Sequence, residues 1–115
     1  MNPEEIRQYV LEKEDVTESF PFGEETLVFK TSNKIFLLMG LDAAELRFNV
    51  KCDPDKAVEL REEYPDHILP GYHMNKKHWN TVYIHKDVEQ EQINKMIDWS
   101  YDLVLQSFSK KKQQE

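Results

Sequence analysis

Thr26-Leu27-Val28-Phe29-Lys30, Thr31-Ser32-Asn33-Lys34, Ile35-Phe36-Leu37-Leu38-Met39-Gly40-Leu41, Asp42-Ala43-Ala44 and Glu45-Leu46-Arg47-Phe48-Asn49-Val50-Lys51-Cys52 follow one another without a break. Apolar side chains recur at every second residue, the period of a strand whose neighbours point to opposite faces. Residues 26–30 read as a first strand, and 31–34 as a tight turn in which Asn33 tolerates positive φ. Residues 35–41 are apolar on both faces, as a covered central strand would be. After a second turn at 42–44, Leu46, Phe48, Val50 and Cys52 point inward while Glu45, Arg47, Asn49 and Lys51 point outward. The reading is a three-stranded antiparallel meander.

Before the meander, Asn2-Pro3-Glu4-Glu5 is a helix start, with Asn2 as cap, Pro3 in the first turn and Glu5 completing a capping box. Ile6, Tyr9 and Val10 carry that helix to about residue 13. Residues 14–18 are acidic without period, and Ser19-Phe20-Pro21-Phe22-Gly23 is a loop holding two aromatics. After the meander, Asp53-Pro54 repeats the cap-then-proline start of a helix over 54–64, which Pro65 ends. Residues 68–72 are extended but interrupted by Pro70 and Gly71, which suits an edge strand. Residues 75–78 form a turn and 81–85 a strand. Asp87 opens a long last helix, with Ile93, Met96, Ile97, Tyr101, Val104, Leu105 and Phe108 as its apolar stripe. Lys110-Lys111-Lys112 follows as a basic tail, so that 1–109 is the single domain and 110–115 its appendage. The expected fold is α+β: helix, three-stranded meander, helix, two short strands and a long C-terminal helix, the helices packed on an antiparallel sheet.

The chain's 115 residues are enough for one real core. Two Trp, six Phe and five Tyr are too many for a disordered chain. A single cysteine, Cys52, excludes an internal disulfide; alternation puts it inward beside Asp53, as an inert buried thiol. No secretory pattern or bilayer-length apolar run is present, so a cytoplasmic protein without a membrane partner is expected.

Charge is unevenly placed. From His67 to Lys86 there is no Asp or Glu, and all four histidines (His67, His73, His78, His85) fall there with Lys76, Lys77 and Lys86. Three of the 15 basic residues lie in this window, leaving 12 against 22 acidic residues elsewhere. A net charge of −7 repels phosphate overall, so any anion must be met locally. Screening over roughly 10 Å at about 0.1 M salt lets such a patch act by itself. Lys76 and Lys77 can meet phosphate, with His73, Asn75, His78 and Asn80 bonding to phosphate or base edges and Trp79 stacking. The plainer alternatives are Trp79 as a core anchor, the lysines as a solvated turn and Asn80 bonding loop amides. About three phosphate contacts alone give a salt slope near −2.7, which is weak, so Arg47 and Lys51 on the outward face are expected to help, with Lys30 and Lys34 near the first turn. Protonating all four histidines would strengthen anion binding below about pH 6.5.

Enzyme signatures are missing. Gly23, Gly40 and Gly71 are the only glycines, so there is no glycine-rich phosphate loop. Glu24-Glu25 and Glu62-Glu63 read as solvated surface, and Ser100 and Tyr101 as packing. His73 and His78 are five apart, which is neither a helical pair nor a finger spacing, so neither metal nor cofactor is expected. The expectation is a non-catalytic protein.

Four separated stretches, Phe20-Pro21-Phe22-Gly23, Lys51-Cys52-Asp53-Pro54, the run from Gly71 to Val82, and Ser100-Tyr101, resemble the MmcQ/YjbR family of small bacterial proteins. The resemblance covers nearly the whole chain up to about residue 110. It implies an α+β fold similar to secretion chaperones, with a frataxin-like outline, and a DNA-binding label based on a helix flanked by two winged hairpins. It brings no catalytic residues. DNA is the first partner class, and another protein, docked on an apolar sheet face by a monomer or weak dimer, is the alternative.

Overall fold

A computed structural model describes residues 2–41, 46–71, 74–84 and 88–113, with side chains as far as residue 106. The turn expected at 42–44, the strand start at Glu45, the Asp87 cap, and Tyr72, His73, His85 and Lys86 lie outside the described residues. The elements are α1 (Pro3–Leu11), β1 (Val16–Ser19), β2 (Thr26–Thr31), β3 (Lys34–Gly40), β4 (Arg47–Lys51), α2 (Pro54–Glu63), β5 (Ile68–Pro70), β6 (Trp79–Tyr83) and α3 (Gln90–Gln113). The strands make one six-stranded sheet in the order β1-β2-β3-β4-β6-β5, every pair antiparallel. The α+β class and the meander at its centre are as the periodicity predicts. Among the described residues no helix is long and apolar enough to cross a membrane.

Local chemistry accounts for most boundaries. In α1 the Asn2 side chain accepts from the Glu5 amide at 2.8 Å, while the Glu5 carboxylate accepts from the Asn2 amide at 3.3 Å. In α2 Asp53 plays the same part, accepting from the Lys56 amide at 3.4 Å. Ser32 and Asn33 both take positive φ, 51° and 66°, in the two-residue connection between Thr31 and Lys34. Paired positive φ values are what a tight hairpin needs to match the strand twist.

Three features depart from the sequence reading. The first is β1, which the acidic, non-periodic stretch conceals. It is an exposed edge strand held by pairing with β2 and by Arg7 of α1, whose guanidinium grips Glu18 at 2.6 and 2.8 Å. That grip holds the Glu18 carboxyl below its ordinary range. The second is α3, which runs to Gln113 and so takes in the lysine run assigned to a tail. β6 also starts at Trp79, two residues early, and stops at Tyr83.

The core lies on one side of the sheet. Leu27, Met39, Phe48, Val82 and Ile68 stand opposite one another across β2, β3, β4, β6 and β5, and they join Ile6, Val10, Ala57, Leu60, Ile93 and Ile97 from the helices. Each large apolar side chain buried this way contributes about 1.5–3 kcal/mol. A β-bulge leaves Phe36 without a partner on β2, since Phe29 pairs with Leu37 and Lys30 with Ile35. The extra residue is buried edge-on against Tyr101 of α3, ring centres 5.4 Å apart. Ser100 completes the join: its hydroxyl donates to the Phe36 carbonyl and accepts from the Lys51 amide. Tyr9 and Lys13 fix α1 to α3 through Asp98, at 2.7 and 2.6 Å.

Candidate functional site

The strand register sorts every side chain to one face or the other. Opposite the core, Val28, Leu38, Asn49, Thr81 and Leu69 share one row, and Gly40, Arg47 and Tyr83 another. Lys51 stands opposite Trp79, and Lys30 opposite Ile35 and Thr17. Val28, Leu38 and Thr81 in this row are themselves buried, although they stand outside the main core cluster. Of the described strand residues Glu18 is the one carboxylate, and it is turned to α1. Other acids sit on the helices, including Glu4, Glu5, Asp55, Glu59, Glu62 and Glu63, and on connections, including Glu14, Asp15, Glu24, Glu25, Asp53 and Asp66. The helix-free face therefore carries Lys30, Arg47 and Lys51 on strands that present no acid there.

The β4–β6 ladder holds the densest part of this face. Arg47 pairs with Tyr83, Asn49 with Thr81, and Lys51 with Trp79. A methyl group on Gly40 would come within 3.9 Å of Arg47 Nε, so the Arg47 side chain runs along this face beside Gly40. Thr81 Oγ1 donates to Asn49 Oδ1, which leaves the Asn49 NH₂ as a donor. Arg47, Asn49, Lys51, Trp79 and Tyr83 are all half-buried.

The turn before β6 adjoins the Lys51 end. Asn75 organises it, its side-chain oxygen accepting from the Lys77 amide at 3.0 Å and its carbonyl from the Trp79 amide at 3.0 Å. The His78 carbonyl accepts from the Cys52 amide at 2.7 Å and so ties the turn to the end of β4. Gly71 is required here because a side chain would meet Trp79 Cβ at 2.7 Å and the Trp79 carbonyl oxygen at 2.9 Å. Lys76 and Lys77 are exposed, and neither they nor Lys51 forms an ion pair among the described residues.

The structure thus places Lys51, Trp79 and the turn that carries Lys76, Lys77 and half-buried His78 at one end of the β4–β6 ladder, and Arg47 with Tyr83 at its other end. Two of the residues read from the sequence are corrected. Asn80 is 1% exposed and points the other way, its amide donating to the Ala57 carbonyl of α2 at 3.4 Å. Trp79 is no core anchor: it is half-buried and stands outside the core cluster, because alternation with Asn80 and Val82 turns it outward. His73 is outside the described residues. Asn49, Thr81 and Tyr83 were not read as site residues, although period two over 79–83 would have grouped the last two with Trp79. Cys52 is buried, and desolvation, reinforced by Asp53, pushes its thiol up to about 11.

Apolar exposure lies elsewhere. Phe20, Phe22 and Leu41 are 49%, 66% and 43% exposed. Phe20 and Leu41, with Leu27 and Met39, line a cleft of about 360 Å³ beside Arg7 and Glu18. Along the apolar run 35–41, Phe36, Leu37, Leu38 and Met39 are buried, Ile35 is half-buried and Leu41 is exposed.

The family model described as YjbR matches residues 11–103. The uncharacterised protein YbdF of Escherichia coli O157:H7 is 39% identical over 96% of this chain and 89% of its own. The uncharacterised protein YyaQ of Bacillus subtilis is 32% identical, over 87% of this chain and 95% of its own. Among solved structures, DR2400 of Deinococcus radiodurans superposes with a TM-score of 0.84 at 38% identity, covering 88% of this chain and 76% of that one. A Pseudomonas syringae protein gives 0.77 at 26%, covering 90% and 99%. By the extent of the family match and the identity to its relatives, this chain belongs to the YjbR family.

Proposed function

We infer that this protein is a non-catalytic nucleic-acid-binding module, and that it meets the phosphate backbone with the helix-free face of its sheet and the turn at 74–78. The observation that carries this reading is the segregation of charge: a molecule of net charge −7 keeps carboxylates off the outward positions of its described strands, where Lys30, Arg47 and Lys51 stand. Lys76 and Lys77 extend the basic patch past the end of β6. Acids farther off than roughly one screening length, about 10 Å at about 0.1 M salt, oppose this patch little. Four phosphate contacts, to Arg47, Lys51, Lys76 and Lys77, correspond to a salt slope of about −3 to −4. Binding is then modest and strongly salt-dependent. A gel-shift titration at about 50 and about 200 mM salt tests this, with retardation expected at the lower salt and lost in a Lys51→Ala/Lys76→Ala/Lys77→Ala protein. No retardation of any nucleic acid at low salt, or retardation indifferent to the three lysines, would overturn the reading.

A protein partner is the second reading, and it rests on Phe20, Phe22 and Leu41 around their cleft. Exposed aromatics beside a pocket are typical anchors of protein interfaces. Loss of a captured partner in a Phe20→Ser/Phe22→Ser protein, with nucleic-acid binding unchanged, would favour this second site.

A further inference from the structure

The geometry points to single-stranded nucleic acid as the ligand of the helix-free face, held by base stacking on Trp79 and Tyr83; this rests on the nucleic-acid reading above. Trp79 and Tyr83 are four residues apart on β6, on the same face, each opposite a cation: Lys51 across from Trp79 and Arg47 across from Tyr83. The rise of an antiparallel strand sets their two Cα atoms about 13 Å apart. Between them stands half-buried Asn49, whose amide is fixed by the buried Thr81 hydroxyl beneath it and whose NH₂ is left to donate to an acceptor on a base.

Two aromatic-and-cation pairs flanking a polar donor make a platform of about three nucleotides, with bases at the two ends stacked and the one between read at its edge. A duplex cannot stack on it, because its bases are already stacked on one another and present only their edges in the grooves. The other tryptophan has a different environment. Trp99 of α3 is on the helix side with the Lys56 ammonium 4.9 Å from its ring centre, and it lines a separate cleft with Cys52 and Leu103. The platform therefore has one reporter of its own, Trp79.

The test uses the full chain carrying Trp99→Phe, so that Trp79 is its only tryptophan, titrated with a ten-residue thymine deoxy-oligonucleotide, its uracil ribo-counterpart and a ten-base-pair duplex. Quenching of Trp79 by the single strands is expected, with affinity for at least one of them at least about fivefold above that for the duplex at equal salt. Anisotropy with labelled oligonucleotides and otherwise native protein repeats the comparison without relying on tryptophan. Trp79→Ala should cost single-strand affinity at least about fivefold, Trp79→Phe much less, and neither should alter the weak duplex binding. Should Trp79→Ala fail to fold, Tyr83→Leu and the quenching titration carry the same test. The deoxy and ribo arms decide which sugar is preferred. Duplex bound as tightly as single strands, or single strands bound without quenching and without loss in Trp79→Ala, would overturn the stacking inference and leave the phosphate reading standing. Failure of all three nucleic acids to bind would instead remove the functional reading on which it rests.

Discussion

Replacing Ser100 by alanine removes one oxygen atom, and the structure says that the fold will feel it strongly. Ser100 is fully buried, and its hydroxyl donates to the Phe36 carbonyl and accepts from the Lys51 amide at 2.8 Å. Those two groups lie where the β3–β4 ladder gives out: its register runs from Gly40 and Arg47 to Leu37 and Val50, and the bulge at Phe36 interrupts the pairing with β2. The hydroxyl of α3 takes over from the missing ladder bonds. Ser100→Ala strands two backbone groups where little water reaches, at about 1–3 kcal/mol each before relaxation. Alanine's better helix propensity returns roughly half a kcal/mol. A net loss of about 2–3 kcal/mol follows, a large share of the stability of about 5–15 kcal/mol usual for such a domain. Urea unfolding followed by circular dichroism measures it directly, and a fall in Tm of roughly 8–12 °C should accompany it. A loss below about 0.5 kcal/mol would refute the reasoning, since it would mean that the two backbone groups find other partners.

Three further outcomes are expected. Gly71→Ala drives a methyl group into Trp79 Cβ and its carbonyl oxygen, so a loss of about 1–3 kcal/mol is expected in the same urea assay, and an unchanged midpoint would contradict the close approach. Tyr9→Phe removes the hydroxyl that donates to Asp98, and should cost about 1.5 kcal/mol. For Cys52 the sign follows from burial: the thiol ordinarily titrates at 9.0 and is pushed up to about 11 in the fold. Between those values the unfolded chain loses the proton while the folded chain keeps it, so stability falls as pH rises, by up to about 1.4 kcal/mol per pH unit. Urea midpoints at pH 8 and pH 10.5 should diverge more for the native protein than for Cys52→Ala; equal divergence would contradict a buried neutral thiol.

The legible part of this fold was the part with strong periodicity. Alternation over 26–52 yields three adjoining strands, and caps at Asn2 and Asp53 mark two helix starts that the structure reproduces. β1 was illegible because an exposed edge strand needs no alternation: Thr17, Glu18 and Ser19 are exposed, and only Val16 is half-buried. The bulge at Phe36 was hidden for a different reason, since a run of apolar residues shows no phase slip. Of the site, the lysines and the outward positions of β4 could be read from charge and alternation. The outward turn of Trp79 could not, because it depends on β6 starting two residues early, which puts Trp79 in phase with Thr81 and Tyr83 and sends Asn80 inward to Ala57.

The central claim is that the ligand meets the sheet on the side away from the helices. Amide chemical shifts of nitrogen-15-labelled protein, titrated with a ten-residue thymine oligonucleotide at low salt, test it residue by residue. The largest shifts should fall on 47–51 and 75–83, with α1 and the outer surface of α2 unmoved. Shifts concentrated on the helices or around Phe20, or none at all at saturating oligonucleotide, would contradict the claim.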